Sequence, residues 1–571
     1  MEGRYKHFAG AAAEAAFKAP DRFAMEHMEG DYGHFAGAAA QAAFKAPDRF
    51  AMEHLEGHYE HYAGAAAQVV IVGGGWAGFG AAKHLAEQGY AVTLLDAAPE
   101  PGGLASGFRT KDGRAYEAGI KGFWYEYHNI FALVRDLEIP WPFTTWSRSG
   151  FWGPRGLAIE APVFSELPRL PTLLGQFWHT LPLFRNLSLA DRATMLPLLY
   201  SIVDFDSSSE TYERYDRMTA RELFLQYGVS NALFEEFLKP LLLVGLFELP
   251  EHLSAAEMIG TLYFYTLAHQ NNFDIAWCKG SVSERLFAPL VARIRAAGGE
   301  VLGGRLAVDV ITGAGGAITG VVSRGCAGEQ TLHEADAVIL AISIAGMQKL
   351  VAAAPALAAL PELRATAALR SIDCLATRLW LDRRVTCRFP ANVLSGLMSL
   401  EGAGGTWFHL NDLQDEYVGA EGSVVAADFY RAGALLLLPD EEIVARVLRN
   451  LQFCEPGFLG AQVVDSAVLR APRAVTHFSP GSHALRPTQE TGLGNLWLAG
   501  DWVKGVPHGA NGLSQERAYV TGLRAANLAI ARLGHGSPAA ILDIEPDEAH
   551  IAAAKALHRG VRRGLHAFGL S

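Results

Sequence analysis

The chain has 571 residues, 50% of them hydrophobic, and a formal net charge of −12. That length suits two interleaved domains with extensions rather than one simple core, and an acidic balance without a basic stripe argues against a nucleic-acid partner. Five widely spaced cysteines, odd in number and with no C-x-x-C pair, argue against a disulfide scaffold or a zinc site, and no metal is expected.

The first element is a repeat. Residues 1–27 recur at 28–54, changed only at Arg4/Asp31, Lys6/Gly33 and Glu14/Gln41, and a partial third copy fills 55–68. Two copies and a fragment, rich in Ala and poor in large apolar residues, can hardly bury a core, so 1–66 is expected to be a helical or partly disordered extension broken at Pro20 and Pro47. Its acids are unlike a transit peptide, and it lacks the apolar centre of a secretory signal.

An apolar run at 69–72 predicts a buried parallel strand. Gly73, Gly75 and Gly78 follow with G-x-G-x-x-G spacing, and Ala81, Ala82 and Leu85 continue as a helix. Gly73 permits the tight turn, Gly75 admits a pyrophosphate to the backbone, and Gly78 lets helix and strand approach. The helix N-terminus attracts the anion. A second run, 92–95, ends at Asp96, whose carboxylate can accept hydrogen bonds from the ribose hydroxyls of an adenosine. Strand, glycines, helix, strand and terminal acid in this order predict a dinucleotide site.

The span 161–203 is dense in Phe164, Leu173, Leu174, Phe177, Trp178 and Phe184; it reads as core, as a domain lid, or as a membrane-facing surface. The run 241–247 is bounded by Lys239, Pro240 and Glu248 and is too short to span a bilayer. A helical stretch at 286–297 and strands through Val308, Ile311 and 335–341 follow, and Trp407, Phe408, His409 and Tyr417 are pocket wall or core. At the C-terminus, Glu545, Asp547 and Glu548 open a helix that ends on Lys555, Arg559, Arg562 and Arg563, an order that complements the helix dipole. Leu557, Val561, Leu565 and Phe568 share one face, suited to an anionic membrane, to the protein body or to a partner subunit.

Pro101-Gly102-Gly103 after the second strand, and Ala499-Gly500-Asp501 closing a late apolar strand, resemble flavoproteins of the amine oxidase and carotenoid desaturase superfamily. The resemblance implies FAD as cofactor, with Gly102, Gly103 and Gly500 beside it, Asp501 near its ribityl and pyrophosphate part, and the backbone of Val308 on adenine. Residues 117–124, with Tyr127, Asn129 and Phe131, resemble the segment of phytoene and zeta-carotene desaturases in which an acid, a glycine and a histidine precede an aromatic run and Y-x-N. Lys121 stands at the place of that histidine, and Leu104 stands where many relatives carry a basic residue. Ser514 to Ala518 with Thr521-Gly522 are similar to the desaturase C-terminal motif, with Arg517 in place of a glycine.

The resemblance, spread over about 69–533, implies an α/β fold with a Rossmann-type FAD-binding domain; strand-and-helix alternation places that discontinuous domain at 67–160, 270–345 and 480–534, with an inserted α+β substrate domain at 161–269 and 346–479. The charge and apolar pattern makes 535–571 a C-terminal amphipathic helix. The resemblance implies a desaturase-like FAD-dependent oxidoreductase that moves a hydride from an apolar carotenoid or other lipid polyene to flavin, with peripheral membrane contact and a plastid or membrane-associated cytoplasmic setting. Lys121 is the candidate beside the flavin ring, where an ammonium stabilises the reduced anion; a surface or ribose-binding lysine is the alternative. Arg517 pairs with phosphate or closes an internal ion pair. An amine oxidase or squalene-pathway flavoenzyme is the nearest competing enzyme, although no aromatic-cage motif is visible, and a flavin-bearing assembly subunit is the competing class.

Overall fold

The computed structural model describes residues 66–205, 209–506 and 512–567. The tandem repeats, the stretch 508–511 and Phe568 lie outside the described residues.

Strands β1 (Gln68–Val72), β2 (Ala91–Leu95), β3 (Glu300–Leu302), β4 (Ala337–Leu340) and β5 (Leu496–Leu498) form one sheet in the order β5-β4-β1-β2-β3. Every pairing in it is parallel. The continuous apolar runs that mark these strands are what burial on both faces requires. In β1, Val69 and Ile71 enter one hydrophobic cluster while Val70 and Val72 enter another on the opposite face.

The first face is covered by helix α1 (Trp76–Glu87) and by the segment Ser283–Phe287 continuing into Ala288–Ala296. Helix α2 (His128–Asp136) adds Ile130, Phe131, Leu133 and Val134 to the same cluster. The second face is covered by a three-stranded antiparallel sheet (Leu306–Thr312, Ile318–Arg324 and Gln330–Glu334) and by the helix Ile344–Ala353.

A seven-stranded sheet forms the second layer, in the order Val463–His477, Arg370–Leu381, Val424–Tyr430, Gly404–His409, Ala391–Leu394, Ser149–Gly153 and Gly156–Ala161. The hairpin at 149–161, within the first segment expected for the FAD domain, pairs here and not with β1–β5. One side of this sheet packs on the helix Asp440–Cys454. Beside it stands a helical layer that includes α3 (Lys239–Gly245).

Helix α4 (Gln515–Leu533) packs along α1, and its Ala525, Ala526 and Ala529 are fully buried. From there the chain crosses back to helix α5 (Ala549–Ala567). Contacts of α5 run through buried Ile551, His558 against Tyr200, and Arg562 against Glu210, while Leu557 and Val561 of its expected apolar face are exposed. The span 161–203 divides in the same way. Phe164, Leu187 and Leu198 are core, whereas Leu174, Phe177, Trp178, Leu189 and Leu196 are exposed. Among the described residues no helix is long and apolar enough to cross a membrane.

Candidate active site

A cavity of about 1000 Å³ is lined by both sheets. Gly73, Gly75, Asp96, Gly102, Gly103, Lys121, Val308, Gly500 and Asp501 all contribute to its wall. Gly78 does not: it sits behind the turn, where a Cβ would stand 1.7 Å from the carbonyl oxygen of Gly73.

The turn after β1 is pinned from two sides. Gly73 N donates to Leu95 O at 2.7 Å, and Ala341 N donates to Val72 O at 2.7 Å. Gly73 takes a left-handed φ of +105°, and Gly75 faces Gly103, whose Cβ would meet the Gly75 Cα at 3.2 Å. The two bare backbones therefore pack against each other at the cavity wall, with no side chain on either to keep a pyrophosphate from close approach. Asp96 holds the neighbouring loops: Oδ2 accepts from Gly74 N at 2.6 Å and Oδ1 from Ala98 N at 2.7 Å. Each oxygen keeps a further lone pair toward the cavity for a hydroxyl donor.

Val308 is set by an irregularity that no residue pattern announces. In the ladder between Leu306–Thr312 and Ile318–Arg324 the register passes from Ala307 to Asp309, which leaves Val308 out of the pairing. A bulge of this kind turns one residue's backbone away from the ladder, here on a residue that lines the cavity.

Lys121 lies among acceptors. Its Nζ donates to Ala118 O at 2.8 Å and Gly119 O at 2.9 Å. Burial pushes its ammonium pKa down, opposed by Asp428 and Glu117. Glu117, the acid of the family-like segment, is structural: it accepts from Val282 N at 3.1 Å, Arg378 Nη2 at 3.3 Å and Gln414 Nε2 at 3.1 Å.

Asp428 is the residue that the sequence reading missed. It lies in the strand Val424–Tyr430, where all seven residues are buried, and accepts from Ile120 N at 2.7 Å. Alternation in the strands brings Thr406, Phe408, Asp428 and Tyr430 to the cavity wall, while Trp407 and Ala427 join the opposite core. An acid at one alternate position of an otherwise apolar run was the available signal.

Burial pushes Asp428 up to about 6 from 3.8, opposed chiefly by Lys121. A raised carboxyl pKa means that the folded chain keeps a proton the unfolded chain has released. The resulting stabilisation is complete below pH 3.8 and is lost as pH rises through about 6. Asp428→Asn should therefore flatten the fall in melting temperature across that window; an unchanged slope would place the pH sensitivity elsewhere.

The late motif connects the layers. Ser514 Oγ accepts from Arg517 N at 3.2 Å and so caps α4. Gln515 accepts from Trp76 Nε1 and donates to Gly122 O, both at 2.9 Å. Glu516 accepts from Asn129 N at 2.8 Å and Ile130 N at 3.0 Å, at the start of α2. Arg517 holds the backbone through Asp501 O at 3.0 Å and Val503 O at 2.8 Å, while its charge opposes the burial that raises Asp501 to about 6.

A glycine-lined turn of a parallel sheet, sharing one cavity with an apolar β-wall, is the arrangement of a dinucleotide-dependent oxidoreductase. Residues 76–530 match the family described as flavin containing amine oxidoreductase, and the chain belongs to that family. It is an FAD-dependent oxidoreductase of mixed α/β fold. The 15-cis-phytoene desaturase of Synechococcus elongatus is 24% identical over 448 residues, covering 76% of this chain and 90% of that one. The zeta-carotene desaturase of Solanum lycopersicum is 23% identical over 457 residues, covering 76% and 77%. Among solved structures, cyclohexylamine oxidase from Brevibacterium oxydans has the same fold, with a TM-score of 0.59 and 14% identity over 82% of this chain and all of that one.

Proposed function

We propose that the chain is a desaturase acting on a long apolar polyene at a membrane surface. The supporting observation is the cavity wall beyond the glycines: Trp124, Phe151, Val244, Phe273, Trp277 and Phe408 offer a surface for hydrocarbon and few polar anchors. FAD, when bound, supplies the hydride acceptor. Gly73, Gly75, Gly102, Gly103 and Gly500 hold its pyrophosphate side by their open backbones, with Gly78 supporting the turn. Asp96 would take the ribose, the backbone of Val308 the adenine, and Asp501 the ribityl and pyrophosphate part. Lys121 would supply positive charge beside the ring, set against Asp428, and the aromatic wall would exclude water and orient the C–H bond.

Access from a lipid phase is supported by a chain of contacts. Val244 of α3 packs in a cluster with Phe184, Phe237 and Phe273. The guanidinium of Arg192 lies over both Phe184 and Phe177, at 5.0 and 4.7 Å from the ring centroids, and Phe177 neighbours exposed Trp178 on the helix Leu174–His179. Exposed Leu174 and Trp178 then offer a membrane-facing surface for a peripheral protein, and exposed Leu557 and Val561 of α5 offer further apolar contact. Chloroplastic desaturases of plants are among the similar proteins, which supports a plastid or membrane-associated setting.

A second reading, an amine oxidase, is favoured by the buried Asp428 carboxylate, which can receive an ammonium. The rings of Phe247 and Tyr430 oppose it. They stack at 3.9 Å and leave no slot for an amine between them. The two separate in anaerobic spectra of the flavoprotein in detergent. Phytoene or zeta-carotene should bleach the flavin band as a longer polyene spectrum grows. Bleaching by primary amines alone would establish the second reading, and a flavin that stays oxidised with both would point to an assembly subunit.

A further inference from the structure

Three distant chain segments meet at Glu126, His269 and Glu545, none of which lines the cavity. Glu126 and His269 are buried, with 2% and 4% of their surface exposed, and Glu545 is half-buried. His269 Nε2 lies 2.9 Å from Pro546 O. A carbonyl only accepts, so that nitrogen carries the proton, and in the neutral ring Nδ1 presents a lone pair.

That lone pair faces Glu126 Oε1 at 3.7 Å and Glu545 Oε2 at 4.0 Å, and the three atoms all lie within 4.8 Å of one another. Neither Glu126 Oε1 nor His269 Nδ1 has a hydrogen-bond partner. Three acceptors thus lie near one another, too far apart for hydrogen bonds, and the two buried ones, Glu126 Oε1 and His269 Nδ1, have no donor. Ligand atoms about 2.0–2.2 Å from a tetrahedral ion are roughly 3.5 Å apart, so small side-chain shifts close the set.

The remaining atoms are already occupied as an outer shell would require. Glu126 Oε2 accepts from His128 Nε2 at 2.9 Å and from Glu545 N at 3.2 Å; Tyr125 OH donates to Glu545 Oε1 at 3.2 Å. The contact of His269 Nε2 with a carbonyl is the usual device that fixes a ligating imidazole.

We infer that Glu126, His269 and Glu545 form a binding site for a first-row divalent cation. An imidazole with two carboxylates suits such an ion, whereas calcium and magnesium prefer all-oxygen sets. The ion pins the segment before α5 to the body, where Leu542 already pairs with Asn129 in both directions at 2.8 Å and Thr172 N donates to Glu548 at 3.1 Å. The sequence predicts no metal because ligands this far apart in the chain form no spacing motif. A proton on His269 Nδ1 is the competing way to neutralise the cluster.

The test uses the untagged, full-length flavoprotein, stripped with chelator and titrated with Co²⁺. Wild type should bind one equivalent more than His269→Gln or Glu126→Gln, with visible d–d absorption that Zn²⁺ abolishes. Histidines of the N-terminal repeats are present in every variant and cancel in the difference. Loss of a ligand should weaken this site by more than about 100-fold, and Tyr125→Phe by about 10-fold, the lower end for an outer partner. Zn²⁺ should raise the melting temperature of wild type but not of His269→Gln. Equal Co²⁺ uptake by wild type and both variants, or a wild type whose melting temperature ignores Zn²⁺, would overturn the site in favour of the proton. Retained flavin reports folding, and Glu545→Gln, at the half-buried position, replaces any variant that loses it.

Discussion

Gly78→Val should yield a chain that is purified without its flavin. A Cβ at this position would stand 1.7 Å from Gly73 O and 2.9 Å from Gly73 C, so backbone must move. Retreat is closed, because Gly73 is itself at φ +105° and a Cβ built on it would meet Ala341 O at 2.4 Å. The turn is clamped between β4 and α1, and displacing it removes the backbone face that Gly75 offers. A weakening of at least about 100-fold, roughly 2.7 kcal/mol, is expected, read as flavin retained after gel filtration at limiting FAD. Gly494→Ala is the matched control: nothing lies within 4 Å of its added methyl, and both flavin content and stability should stay within about 0.5 kcal/mol of wild type. Full flavin occupancy in Gly78→Val would remove the turn from the binding site.

The second large effect concerns stability. Arg486 is 3% exposed and forms an ion pair with Glu257, 1% exposed. It also donates to Tyr212 OH at 3.1 Å and lies over the ring of Phe478 at 5.0 Å. Arg486→Met keeps the volume but strands a buried carboxylate beside Asp216, and should cost about 3–5 kcal/mol in denaturant unfolding. Adding Glu257→Leu should recover most of that loss, because an apolar pair of similar volume is often neutral or stabilising. A double variant as unstable as the single one would show that packing, and not the stranded charge, carries the effect.

The site was legible in sequence where chemistry is local. The turn at Gly73, Gly75 and Gly78, and the acid ending β2, are short-range patterns whose geometry follows from glycine and strand alone. Lys121 was legible only as the occupant of a family position. Asp428 was hidden because its meaning depends on which strand lies beside it: the run 424–430 is apolar on both faces apart from Asp428, and only the neighbouring strands decide which face meets the cavity. Val308 depends in the same way on a bulge in its partner ladder. The hairpin at 149–161 shows a related limit, since a strand carries no local mark of the sheet it will join. The C-terminal helix shows amphipathicity in sequence, yet its contacts run through Ile551, His558 and Arg562, a choice made by polar partners at Tyr200 and Glu210.

The parallel sheet has a consequence for biosynthesis. β1 begins at residue 68, but β5 ends at 498 and α4, which packs on α1, ends at 533. A ribosome working from the N-terminus must pass residue 533 before the nucleotide fold can close with all of these elements. Helices α1 and α2 can cover one face of β1 and β2 early, but the other face awaits partners from Leu306–Thr312 onward, encoded hundreds of residues later, and pairings of such sequence separation form slowly. The wall that faces the flavin is accordingly expected to close only after β5 and α4 have both been made.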